Sequence, residues 1–273
     1  MMNFLIENEQ QVRLGVFLSL LFILASAEFV APLAKRQTPR PVQWFTNITI
    51  VILDSIVMRL LFPLLAVGVA HYASETNIGL FNIIVLNEGL VFFISLLLLD
   101  LLIYGQHVIM HKIPLLWRLH RMHHTELALD VTSAVRFHPF EIIISMLIKM
   151  AFVLIMGIPA AAVIVFEILL NGLALFNHSN LKLASAIEKF LRTFIITPEV
   201  HWIHHSEISS ETNSNYGFNL CIWDKMFGTY VDKPTLGYSE MRQGLKEFGF
   251  KKPLNIIELL VSPFKNYPIK KDG

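Results

Sequence analysis

Long apolar runs separated by short polar connectors make up most of the chain. The first run lies between Arg13 and Lys35 and is interrupted only by Glu28. It is long enough for a helix to cross a hydrocarbon core, which takes about 20 residues. Glu7 and Glu9 precede it instead of a basic cluster, and no small-residue cleavage site follows, so it reads as a retained first pass rather than a signal peptide. A second run covers 44–70 and holds Asp54 and Arg59; a third covers 80–103 and holds Glu88 and Asp100. Two shorter runs, Ile142 to Ile158 and Ala160 to Phe176, meet at Gly157-Ile158-Pro159, a helix-breaking turn, and predict a helical hairpin over 142–176. Its arms sit at the lower length limit for a full crossing. A turn at Ile158 places Lys149 and Glu167 at equal distances on opposite arms, as a structural ion pair. Asp54 and Arg59 have no such clean geometry; they either pair or line a polar cavity.

These elements predict an all-α fold: a multi-pass integral membrane protein with helices at about 14–33, 44–70 and 80–103 plus the hairpin, all in one domain. Segments 104–140 and 177–230 then form a cap at one membrane face, and 231–273 a C-terminal tail. Composition agrees, with 54% apolar residues, 16% charged and a mean hydropathy of +0.57, whereas soluble domains carry about a quarter charged residues. The net charge of +1 gives no reason to expect a nucleic-acid partner. The distribution of charge says more. Segment 34–42 has three Lys or Arg, 104–140 has four and everything after Asn177 has twelve, all on one side if each run crosses, against Arg13 alone on the other. The positive-inside rule places the richer side in the cytoplasm, which means a bacterial inner membrane or the endoplasmic reticulum, depending on the host.

That side also holds ten of the eleven histidines. Cys221 is the only cysteine, so disulfide, thiolate-zinc and iron–sulfur chemistry are excluded within the chain. His107 and His111 are spaced to share a helical face. His120, His123 and His124, and again His201, His204 and His205, follow an H-x-x-H-H spacing that presents three imidazoles from one turn. Thr197-Pro198 suits the start of a helix carrying the second triplet. His138 and His178 flank the hairpin, and His71 alone lies opposite. Disordered metal-scavenging tracts are low in complexity, but here Trp117, Leu119, Trp202 and Ile203 interleave with the histidines, which predicts a folded site. Ten imidazoles exceed the needs of one first-row metal and suit two, although imidazole alone does not choose among Fe, Zn, Cu and Ni. Asp100, Asp130, Glu199 and Asp224 are candidates to accept the free ring N–H groups of the ligands, each equally able to serve as a cap or a salt-bridge partner.

From about Asp100 to Tyr230 the chain resembles the fatty acid hydroxylase and sterol desaturase superfamily of membrane-bound, histidine-box di-iron oxygenases. The resemblance rests on D-x-x-x-Y before His107 and His111, on P-L-L-W-R-L-H-R-M-H-H, R-F-H-P, N-H-S-N and P-E-V-H-W-I-H-H, and on the closing N-Y-G-F-N-L-C-I-W-D-K-M-F-G-T-Y. It implies that His107, His111, His120, His123, His124, His138, His178, His201, His204 and His205 ligate two Fe ions, and that O2 is the co-substrate for hydroxylating a C–H bond of a lipid, whether sterol-like, fatty acyl or carotenoid-like. Where the family usually has an aromatic residue, this chain has Gly105. No dinucleotide fingerprint, haem-attachment motif or iron–sulfur cysteine set is present. Electrons are therefore expected from an external donor, either cytochrome b5-like, ferredoxin-like or a reductase. Other readings are a desaturase using the same site, a metal transporter or store, and an inactive relative with a structural metal. Lys270-Lys271-Asp272-Gly273 reads as a solvated basic tail or as a dilysine retrieval signal.

Overall fold

The computed structural model describes residues 4, 7–36, 38–250 and 252–267. Among these no β-strand forms, and five helical segments are long and apolar enough to cross a membrane. Helix α1 (Glu9–Val30) is followed by α2 (Arg40–Leu61), α3 (Ala66–Glu75) and α4 (Glu88–Lys112). The hairpin is α6 (Pro139–Met156) and α7 (Ala160–His178), and α5 (Pro114–His124) lies between α4 and the hairpin. Lipid offers no water to satisfy backbone polar groups, so each apolar run closes its own hydrogen bonds as a helix.

Two sequence-derived boundaries shift, both for reasons of backbone chemistry. The run over 44–70 breaks after Leu61, because Pro63 forces Phe62 into an extended conformation (φ −121°, ψ 103°). Its remainder becomes the ten-residue α3, wedged against α6 and α7. The run over 80–103 begins as one turn, Leu80–Ile83, and restarts at Glu88 under an Asn87 cap whose side chain accepts from the Leu90 N–H. With no breaker before Pro114, α4 then continues past residue 103 to Lys112. The first histidine pair therefore rides on a membrane helix instead of following it.

The second hairpin arm, α7, is the most buried of the five segments. It packs against α1, α3 and α4, and Leu99, Ile103, Val153, Ile158 and Phe166 are core residues around it. Gly157 caps α6 in the left-handed conformation (φ 66°), and Gly79 (φ 100°) approaches so closely that a Cβ there would lie 2.3 Å from the Gly157 nitrogen. Lys149 and Glu167 meet at 2.6 Å across the arms, and Arg13 takes the other Glu167 oxygen at 2.8 Å. Asp54 is buried with one oxygen unpartnered, while Arg59 is exposed, so the two do not pair.

The C-terminal ends of α1, α4 and α7 and the N-terminal ends of α2 and α6 meet at one face, where the cap is built. Besides α5, the cap contains a 3-10 turn (Val131–Val135), α8 (Pro198–His204), α9 (Ile222–Phe227) and α10 (Ile256–Val261). The segment read as a tail folds back over this cap through residue 267. Gln243 accepts from the Leu129 N–H, Glu247 pairs with Arg121, and Leu259 packs on Ile50 and Met122. The Lys270-Lys271-Asp272-Gly273 terminus lies outside the described residues.

Candidate metal centre

Nine of the ten clustered histidines converge in two groups. His107, His111, His120, His124 and His204 form one, and His123, His178, His201 and His205 the other; in each, the ring nitrogens on offer lie within 4.8 Å of one another. All nine are buried. The H-x-x-H-H spacing explains the division. On α5 the i, i+4 pair His120 and His124 faces the first group and His123 the second. On α8 and its C-terminal cap, His201 and His205 face the second group and His204 the first. Each triplet thus contributes two rings to one group and one to the other, with α4 completing the first group and the end of α7 the second.

The ring tautomers follow from their partners. His107 Nδ1 donates to the Tyr216 carbonyl at 2.7 Å, His204 Nδ1 to Ser214 at 2.7 Å, His178 Nδ1 to Ala174 at 2.8 Å and His123 Nδ1 to Arg136 at 3.2 Å. His120 Nδ1 meets the Glu141 carboxylate at 2.6 Å. A carbonyl or carboxylate can only accept here, so in these five rings Nδ1 carries a proton, and in the neutral form of each ring Nε2 is a bare lone pair. Such lone pairs face each other at 3.1 Å between His107 and His120 and at 2.9 Å between His178 and His123. That arrangement repels unless a cation lies between the rings. Protonation is opposed: burial, reinforced by neighbouring imidazoles, holds His123, His124, His201 and His205 well below the usual histidine range, and burial takes His204 down to about 3. Both ring nitrogens of His111 and Nε2 of His204 are buried without a partner. Buried rings whose nitrogens converge in this way could serve as the donor set of a transition metal.

His138 is not brought into either group. As the residue before Pro139 it caps α6, its Nδ1 accepting from the Phe140 N–H at 3.2 Å while Nε2 donates to the Leu260 carbonyl at 3.1 Å. Burial lowers its pKa, so the ring is neutral and both nitrogens are occupied. Nine of the ten expected rings thus converge, and His138 stands apart from both groups. Gly105 leaves the first group untouched, since nothing lies within 4 Å of where a Cβ would stand.

None of the four acidic candidates hydrogen-bonds to an imidazole; each has other partners. Asp100 accepts from Trp223 Nε1 at 2.8 Å and ties α4 to α9. Asp130 caps the 3-10 turn and pairs with Arg36, and Glu199 pairs with Arg192. Asp224 acts at one remove: it accepts from the Tyr216 and Gly217 N–H groups at 2.8 Å each, fixing the loop whose Tyr216 carbonyl orients His107. Burial raises its pKa above the usual aspartate value. The carboxylate that does contact a ring, Glu141, was missed in the sequence. Its position in R-F-H-P-F-E marks a helix start, where acids are common for other reasons.

The fatty acid hydroxylase family model matches residues 92–229, a stretch that includes all the clustered histidines. An ornithine lipid hydroxylase, OlsE, of Rhizobium tropici is 26% identical over 183 residues, covering 60% of this chain and 54% of that protein. Alkylglycerol monooxygenase of Xenopus tropicalis is 29% identical over 130 residues, 47% of this chain and 28% of that protein. The chain thus spans about half the length of the first relative and less of the second. No solved structure is a significant match.

Proposed function

The chain belongs to the fatty acid hydroxylase family, and from that premise we propose that it is a membrane-embedded lipid hydroxylase using O2, external electrons and two irons held by the nine converging imidazoles. The observation that carries this reading is the pair of buried groups in which unprotonated Nε2 atoms face one another near 3 Å. His107, His111, His120, His124 and His204 would hold one iron, and His123, His178, His201 and His205 the other. When bound there, the pair of irons supplies the redox chemistry that activates O2 for C–H hydroxylation.

The protein's own part is orientation and exclusion of water. Backbone carbonyls keep the proton on Nδ1 of His107, His123, His178 and His204, and Glu141 does so for His120, leaving each Nε2 free toward the metal. Burial of all nine rings protects a strong oxidant from side reactions with water. The relatives named for lipid hydroxylation and for alkylglycerol oxygenation support a lipid substrate. The basic residues flanking the spans favour a cytoplasmic histidine face, within reach of a soluble or membrane-anchored electron donor.

The test is elemental analysis with Mössbauer spectroscopy on the full chain, purified without chelators from iron-supplemented cells, followed by product analysis under labelled O2. Two irons per chain and labelled hydroxyl in a lipid product are expected. Folded protein with no metal overturns the ligand assignment; an unlabelled alkene product would make the enzyme a desaturase.

A further inference from the structure

We infer that the crevice between α5 and α6 is an acyl-chain groove that takes a membrane lipid with an anionic headgroup, and that Arg118 holds the charge. The inference deepens the hydroxylase reading and rests on it for what becomes of the lipid, while binding itself is read separately. The crevice is a cavity of about 560 Å³, within the usual range for small-molecule sites. Its walls include Leu116 and Leu119 from α5, Ile143 and Ile144 from α6, and Phe264 from the C-terminal segment; Arg118 is its one charged residue.

Location ties the groove to the metal centre. Leu116 lies one turn before His120 on α5 and Ile144 one turn after Glu141 on α6, and the 2.6 Å contact between His120 and Glu141 joins the two helices. The groove wall therefore lies one turn along α5 from His120, a member of the five-imidazole group, and one turn along α6 from Glu141, which holds that ring. The mouth lies where α4 ends at Lys112 and α6 begins at Pro139, the level at which two spans leave the hydrocarbon. Leu115, Phe140 and Phe264 are 71%, 52% and 64% exposed there. Large apolar side chains this open belong against lipid.

The charge at the groove selects the headgroup. Arg118 Nε and Nη2 donate to the carbonyls of Pro263 and Lys265, and Nη1 to Asn266 Oδ1. All three partners are neutral, whereas Arg121, Arg136 and Arg192 on the same cap each pair with a carboxylate. A guanidinium has five N–H donors in a fixed fork. Three anchor it, so its charge and two donors remain for an anionic oxygen. Lys265, whose carbonyl accepts from Arg118, is itself exposed and adds its charge nearby.

The experiment places the full chain in phosphatidylcholine nanodiscs doped with spin-labelled phosphatidylglycerol or spin-labelled phosphatidylcholine of the same acyl length. Electron spin resonance reads the immobilised fraction. Phosphatidylglycerol is expected to be held about fivefold better, the scale of one basic residue at a membrane surface. Arg118→Gln should abolish the preference and Arg118→Lys should keep it. Ile144→Trp, or Leu116→Phe if the first variant does not fold, should reduce the immobilised fraction of both lipids by filling the groove. Equal retention of both headgroups by the unaltered chain, or unchanged immobilisation in the groove-filling variants, overturns the inference. Iron measured on the same samples separates the two readings: lipid selectively held by a protein that binds no iron leaves the groove standing and removes the oxygenase.

Discussion

Glu141 offers the sharpest test of how the proposed metal centre would be held. Its Oε1 lies 2.6 Å from His120 Nδ1, and the two side chains are 5% and 1% exposed. A hydrogen bond to an ionised group contributes about 1.5–3 kcal/mol net, and a neutral one about 0.5–1.5. Glu141→Gln keeps an acceptor but removes the charge, so it should weaken metal binding in the five-imidazole group by about 1–1.5 kcal/mol, or roughly tenfold. Glu141→Ala removes the acceptor as well and strands a buried N–H, for a total of about 2–4 kcal/mol, or roughly 30- to 1000-fold. The same change frees the His120 ring to turn its proton toward the metal. Purified variants would be challenged with a graded series of chelator concentrations and their metal content measured after desalting. The expected sequence is two metals per chain in the unaltered protein, a loss of one at lower chelator concentration in Glu141→Gln, and one metal as isolated in Glu141→Ala. Only one should go, because the four-imidazole group has no contact with Glu141. A folded Glu141→Ala protein that keeps both metals with unchanged chelator resistance would refute the reasoning.

His138 and Glu167 supply two further predictions. His138→Gln should retain both metals and lose only about 1 kcal/mol of stability through the helix cap, whereas His204→Ala should lose metal; a drop to one metal in His138→Gln would return that residue to the ligand set. Glu167→Gln leaves Lys149 and Arg13 without their shared carboxylate and should destabilise by about 3–5 kcal/mol. Lys149→Met should cost less, since Glu167 keeps Arg13 at 2.8 Å. Thermal unfolding in one detergent, followed by size-exclusion chromatography, would show the order, and a reversed order would mean that the triad does not contribute as its geometry implies.

What the sequence made legible was whatever one interaction decides. An apolar run of about 20 residues has essentially one solution in lipid, so the existence of the spans could be read directly, while the breaks at Phe62 and before Glu88 could not. Lys149 and Glu167 could be matched because a hairpin turn fixes which residues oppose each other. The H-x-x-H-H triplets were legible as ligand donors because helical periodicity is rigid, although their division between two groups needed α5 and α8 to be placed face to face. Less legible was anything decided by competition. His138 has the residue type of a ligand, but Pro139 starts a helix immediately after it and claims its ring as a cap. Asp100 and Asp224 have the residue type of ring-orienting acids, yet backbone N–H groups and Trp223 claim them first. Carbonyl groups orient four of the rings, and every residue carries a carbonyl, so no sequence signal marks them.

The buried charges of the cap become intelligible once those carbonyls are traced outward. Tyr216 presents its carbonyl to His107 because Asp224 grips the N–H groups of Tyr216 and Gly217, and position 217 tolerates no side chain, since a Cβ would lie 2.8 Å from an Asp224 oxygen. Arg136 presents its carbonyl to His123 from the end of a 3-10 turn capped by Asp130. Glu28 anchors that turn by accepting from the Val131 N–H while also accepting from Asn180, two residues after His178. The Arg136 side chain pairs with Glu126, two residues after His124. Ser214 presents its carbonyl to His204 from a loop held by Asn215, whose side chain donates to the Val200 carbonyl on the same short helix. His107, His123 and His204 are thus oriented by loop carbonyls, and each of these loops is fixed by a carboxylate or amide outside the imidazole groups. Taking a carboxylate out of water is costly unless it is fully hydrogen-bonded, and a device of that kind resists rearrangement for the same reason. Buried rings converging in two tight groups would otherwise rotate away from one another, and for His107, His123 and His204 this outer frame keeps Nε2 turned inward, the orientation that metal ligation requires.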